Sequence, residues 1–292
     1  MRRWPDFLVI GAYKCGTSAL HLALRQHPEL FVPRKEPNFF AFAHGSATDR
    51  PIRRGSVLVE RDYLKLFDRA HPGAVVGEVS PEYMASPAAC PRIAATVPDV
   101  RLVAVLRDPV ERAYSDYLMY RRDGDERCEH FGDALDRQDE RYARADPTGY
   151  YLRTGFYAAQ LRPFFDRFPR DRLHVLLHDD LRAHHREALS GVFRFLGVDP
   201  SFTPGDLEPV NVSGVPVTRT AAAALAARRR LRSVRPLVPE ALKLRANRVV
   251  ERSLHRPELD RADRARLVEV YRSDVAELAY LLDRDLSHWL RA

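Results

Sequence analysis

The chain has 292 residues, 45% of them hydrophobic and 10% aromatic, which supports a sizeable buried core and excludes a disordered polymer. Its 47 basic and 40 acidic residues leave a formal charge of +7 and a pI near 9.5, favouring phosphates, sulfates, polyanions or an anionic surface without choosing among them. Only Lys14, Lys35, Lys65 and Lys243 are lysines, so 43 of the basic residues are arginine, a skew that base composition explains better than function. Cys15, Cys90 and Cys128 have no paired spacing, so neither a disulfide framework nor a zinc site is expected. The opening MRRWPDFLVIGAYKCG starts basic, but Pro5 and Asp6 interrupt it and the apolar run is too short for a secretory segment. No stretch approaches about 18 apolar residues, so a cytoplasmic protein without a membrane span is expected.

In chain order, FLVI at 7–10 reads as a strand, followed by a Gly-bearing turn and a helical period through Leu20, Ala23 and Leu24. The segment 42–61 is an irregular, Arg-bearing excursion. VVGEV at 75–79 is a second strand leading into helix formers, and RLVAVLR at 101–107 is a third. After it Asp108 can cap, Pro109 suits the first helical position, and Val110, Ala113, Tyr114, Tyr117 and Leu118 line one face. The charge-dense stretch 121–147 reads as a mobile or helical surface insertion that, like 42–61, is a candidate substrate wall. LHVLL at 173–177 is a fourth strand, with a helix from about Glu187 to Leu196 ending at Gly197. Beyond Asp206, helices are expected over 219–233, 239–252 and 260–283.

Four strand-then-helix units predict the α/β class: a P-loop-like central parallel sheet flanked by helices, with a helical C-terminal part. One domain over 1–292 is expected, with a core at about 6–220 and a helical extension at about 219–292. In such sheets ligands bind beyond the carboxyl ends of the strands, which directs attention to the turns after Ile10 and Leu106.

GAYKCGTS at 11–18 follows a strand and opens a helix, so unpaired N–H groups and the positive end of the helix dipole converge on an anion site. The nucleotide-triphosphatase pattern GxxxxGK[ST] needs Lys directly after the second Gly; here Thr17 stands there and Lys14 lies inside the loop. That weakens a kinase or ATPase reading and lets the Lys14 ammonium stabilise charge on a bridging oxygen as a bond breaks.

With these residues in view, the chain resembles the sulfotransferases that use 3′-phosphoadenosine 5′-phosphosulfate (PAPS). KCGTSAL at 14–20 is similar to their 5′-phosphosulfate loop and LRDPVERAYSDY at 106–117 to their 3′-phosphate motif. KEPNFF at 35–40 is similar to the segment carrying the catalytic Glu in relatives acting on heparan-type sugars. GFYAAQL at 155–161 and FLG at 195–197 match weaker landmarks, and the resemblance covers roughly 6–220.

The resemblance implies that Lys14, Cys15, Gly16, Thr17 and Ser18 bind the phosphosulfate, with Lys14 also catalytic, and that Arg107 and Ser115 hold the 3′-phosphate. It makes Glu36 the general base, although other relatives use a His, for which His44 and His178 are the nearest candidates, without a supporting motif. Arg219 is the candidate for a basic loop returning to the nucleotide. Where heparan-type relatives often carry Lys, this chain has Val79, which counts against a polysaccharide; Glu78, Ser80 and Tyr83 beside it are candidate walls of the acceptor pocket.

The expected reaction is in-line sulfuryl transfer to a hydroxyl or amine of a small-molecule or glycan-like acceptor, releasing adenosine 3′,5′-bisphosphate (PAP), without a metal. Two other classes stay open. A phosphotransferase using the same loop would need magnesium, and a nucleic-acid or polyanion binder would rest on RRRLR at 228–232, where aromatic interleaving is lacking.

Overall fold

The computed structural model describes residues 3–34, 36–43, 52–53, 55–205, 214–216, 225 and 254–292. The expected helices over 219–233 and 239–252, RRRLR at 228–232, Arg219 and His44 lie outside the described residues, Leu225 apart.

Five strands form one parallel sheet: β1 (Phe7–Gly11), β2 (Leu30–Phe31), β3 (Val75–Val79), β4 (Arg101–Leu106) and β5 (Leu173–Leu177), in the order β2-β3-β1-β4-β5. All five residues of β1 are buried, as a central strand covered on both faces requires. The four long strands are those the apolar runs predict; β2 is an addition of two residues at the sheet edge. Gly77 admits the Phe7 ring, which would lie 2.3 Å from any Cβ placed there.

Helices follow most strands. The chain runs through α1 (Thr17–Gln26), α2 (Phe39–Phe42), α3 (Glu60–Leu64), α4 (Glu82–Ala85) and α5 (Ala89–Thr96) to α6 (Pro109–Asp123). In α6 the Asp108 carboxylate accepts from the Val110 and Glu111 N–H groups, with Pro109 at the first helical position. The stretch 121–147 is the end of α6 followed by α7 (Phe131–Asp136) and α8 (Gln138–Ala143), with Phe131, Ala134, Leu135 and Gln138 buried, so it is packed structure as well as surface. Next come α9 (Tyr157–Arg167), α10 (His178–Ala183) and α11 (His185–Leu196), which ends at Gly197 in the left-handed conformation.

The C-terminal α12 (Arg261–Leu282) matches the expected 260–283 and packs on the core. Its Asp274 accepts from the Ala158 and Ala159 N–H groups at the start of α9, and its Tyr271 hydroxyl donates to the Leu152 carbonyl.

One carboxyl sits inside the core. Glu78, in β3, is fully buried and accepts from the Tyr63 hydroxyl at 3.2 Å, the Ser80 hydroxyl at 2.7 Å and the Tyr83 hydroxyl. Ser80 in turn accepts from the Asn38 N–H at 2.9 Å, so this network fastens the 36–40 turn to the end of β3. Desolvation, only partly offset by the three hydroxyls, raises the Glu78 pKa to about 7.

Two stability outcomes are expected. Asp108→Ala should cost about 1 kcal/mol through loss of the cap, read as a lower urea midpoint, with Asp108→Asn recovering most of it. Because Glu78 takes up its proton more readily when folded, its stabilising contribution is complete below about pH 4.5 and disappears as pH rises through about 7. Wild type should therefore lose stability against Glu78→Gln by up to about 1.4 kcal/mol per pH unit in that window, measured by urea unfolding at pH 5, 6 and 7.5.

Candidate active site

The loop between β1 and α1 has an unusual backbone. Lys14 (φ 65°) and Gly16 (φ 95°) are left-handed while Tyr13 and Cys15 before and between them are not, and the Cys15 N–H donates to the Ala12 carbonyl at 3.3 Å. No side chain caps α1, whose N-terminus opens from Gly16. Thr17 is buried at the first helical position, and Lys14 and Ser18 are partly exposed. Cys15 turns its side chain inward, with Sγ 3.4 Å from the Tyr157 hydroxyl, and burial raises the thiol pKa. From Cys15 only the backbone is placed at the loop surface.

Glu36 reaches the same crevice from the next strand. Its N–H donates to the Val79 carbonyl at 2.7 Å, and its backbone is left-handed (φ 62°), as is that of Asn38 (φ 53°). Ser80 N–H donates to Val9 at 2.9 Å and Ala12 N–H to Val105 at 2.8 Å, so the exits of β1, β3 and β4 lie side by side. The Glu36 charge helps raise the pKa of both Glu78 and the Tyr13 phenol, though burial is the larger cause for each. The two carboxyls differ in reach: Glu78 is fully buried with both oxygens engaged, whereas Glu36 is partly exposed.

Arg107 stands at the exit of β4, its side chain 16% exposed, with Nη2 3.4 Å from Glu111. Glu111 also accepts from Arg256 at 2.7 Å and from Arg264, which lies 3.5 Å from Asp108. Three guanidinium groups thus share one carboxylate, and burial together with the neighbouring Arg107 and Arg264 charges lowers the Arg256 pKa. Ser115, buried, is one turn beyond Glu111 on α6. His178, at the exit of β5, has Cδ2 3.1 Å from the place a Cβ on Gly16 would take. Burial and the Arg107 charge hold its pKa down to about 4, so the ring is neutral at pH 7.

The structure brings Lys14, Cys15, Gly16, Thr17, Ser18, Glu36 and Arg107 to three adjacent strand exits and sets Ser115 along α6. It adds residues that no motif singles out. Arg256 and Arg264 reach Glu111 from about 150 residues away, without a motif. Arg53, in the 42–61 segment, stacks 4.2 Å over the Tyr13 ring, donates to the Tyr13 hydroxyl at 2.6 Å and pairs with buried Glu82 at 2.6 Å. Among the described residues no group of three or more His, Cys, Asp or Glu is arranged to hold a metal ion, and no helix is long and apolar enough to cross a membrane.

Mouse heparan sulfate glucosamine 3-O-sulfotransferase 3B1 is 30% identical over 200 residues, covering 68% of this chain and 47% of that protein. The human 3-O-sulfotransferase 6 is 39% identical over 116 residues, covering 40% of this chain and 30% of its own. The chain thus spans about half, or less, of the length of these curated relatives. A crystal structure of a sulfotransferase from Alicyclobacillus acidocaldarius superposes with a TM-score of 0.77 at 28% identity, covering 99% of this chain and 100% of that one. The mouse sulfotransferase SULT7A1 complexed with PAP, at 13% identity and TM-score 0.51, shares the fold. Residues 5–204 match the sulfotransferase family, and the chain belongs to it.

Proposed function

We propose that the chain transfers a sulfuryl group from PAPS to a hydroxyl or amine of its acceptor. The observation that carries this reading is the set of backbone bonds joining the exits of β1, β3 and β4, which puts an ammonium-bearing anion loop and a partly exposed carboxylate at one crevice. The sites also suit a nucleotide with two separated anionic groups: the loop at 14–18 for the 5′ end and the Arg107, Arg256 and Arg264 cluster for a 3′-phosphate. PAPS supplies an activated sulfuryl group on a phosphate oxygen.

Glu36 takes the proton from the acceptor as its oxygen or nitrogen bonds to sulfur. Lys14 and the uncapped start of α1 stabilise the charge left on the phosphate oxygen when the sulfur–oxygen bond breaks. His178, neutral, packs against Gly16, where an imidazolium beside Arg107 is disfavoured. The acceptor class suggested by the heparan sulfate relatives is a glycan, whereas buried Val79 offers no charge for one. A phosphotransferase would want Lys where buried Thr17 stands.

Calorimetry should show PAP binding in the presence of EDTA. Glu36→Gln should lower turnover by about 10²- to 10⁴-fold with PAP affinity within twofold of wild type. Lys14→Ala should lower both turnover and affinity. Full turnover in Glu36→Gln would remove that residue from the chemistry, and absence of PAP binding by folded protein would remove the reading itself.

A further inference from the structure

A cavity of about 600 Å³ lies between the end of α4, α5, α9 and the 152–156 turn. Met84, Pro87, Leu152, Phe156, Pro163 and Phe164 give it mainly apolar walls. Its size and lining fall in the range of small-molecule sites. Two polar atoms on its wall lack hydrogen-bond partners: Ser86 Oγ, on a residue 5% exposed, and Gln160 Oε1, whose amide nitrogen is engaged by the Arg153 carbonyl at 3.0 Å. A buried polar atom left unpaired is costly; Gln160 Oε1 can only accept, and Ser86 Oγ can accept or donate. A hydroxyl or amine N–H on an otherwise apolar molecule, distinct from the group that is sulfated, satisfies both. The charged residues on the lining, Arg153 and Asp139, carry opposite signs and lie 3.7 Å apart, so they present no net positive field for a sulfated sugar.

Two of the cavity's helical walls, α4 and α9, lead to the 11–16 loop. Met84 of α4 packs so closely on Gly11, at the mouth of the loop, that a Cβ there would lie 2.7 Å away. Glu82, in the first turn of α4, holds Arg53 on Tyr13, the neighbour of Lys14. The first residue of α9, Tyr157, contacts Cys15 of the loop. Since α4 spans only four residues, about 6 Å, a molecule in the cavity lies one short helix from the loop.

We propose that this cavity seats the apolar body of the acceptor, which makes the acceptor a hydrophobic alcohol or amine rather than a polyanionic sugar chain. The proposal rests on the sulfuryl-transfer reading and extends it to the substrate class.

The test is a calorimetric titration of the full, PAP-saturated chain with naphthalene-2,6-diol and with 6-methoxy-2-naphthol, which keeps the same body and one hydroxyl for transfer but lacks the second donor, alongside sulfation assays with labelled PAPS. Wild type should bind the diol at least tenfold more tightly than the ether and should sulfate it. Ser86→Ala should reduce that preference to threefold or less. Ala159→Trp, which fills the cavity from an exposed helical position, should raise the diol Kd and KM at least tenfold with PAP affinity within twofold of wild type. If PAP itself does not bind, the transfer reading fails. If PAP binds but the diol does not, or is held equally by Ala159→Trp, or is bound and never sulfated, the cavity proposal is overturned while the transfer reading stands.

Discussion

Three backbone hydrogen bonds carry the site: Ala12 N–H to Val105, Ser80 N–H to Val9 and Glu36 N–H to Val79, at 2.8, 2.9 and 2.7 Å. In a parallel sheet every strand delivers its exit to the same edge, and here these bonds extend the pairing one step beyond the strands. Backbone positions fixed in this way do not depend on side-chain rotamers, so the backbones of the loop lysine and of the carboxylate residue keep their relation. The left-handed backbones of Lys14, Glu36 and Asn38 sit at these joints. Such conformations are disfavoured for residues with a Cβ, and surrounding bonds such as Asn38 N–H to Ser80 hold them.

The fold was legible where the sequence repeats a physical signal over enough residues. The four buried strands show as apolar runs, and Asp108 with Pro109 marks the start of α6 because a short acceptor side chain and a missing N–H both suit that position. β2 was not legible: Leu30 and Phe31 are too few to show a period, and pairing with β3 makes them a strand. Within 121–147 the charges conceal the packing of α7, which buries Phe131, Ala134 and Leu135, and of α8, which buries only the polar Gln138.

The site was legible in the same uneven way. Lys14, Gly16 and Thr17 are contiguous and Arg107 with Ser115 shares a single helix start, so local spacing carries them. Arg256, Arg264 and Arg53 are three among 43 arginines, and only long-range folding separates them from the rest. His178 is a similar case. Nothing in the residues around it marks it, yet parallel pairing of β5 with β4 sets the two exits side by side and brings its ring against Gly16.

The two glutamates near the end of β3 differ in burial and in what holds them. Glu78 is buried among three hydroxyl donors and carries a pKa near 7, which suits a group that braces the 36–40 turn and has no oxygen left for a ligand. Glu36, whose N–H donates to the Val79 carbonyl, is partly exposed. Val79 itself is fully buried, so a charge at that position would have no path to solvent. The described positive group on this wall is the Arg53 guanidinium, brought in from the 42–61 segment, stacked on Tyr13 and balanced by Glu82. That charge is already paired, and Met84, which packs against Gly11 at the mouth of the loop, also lines the apolar cavity behind α4.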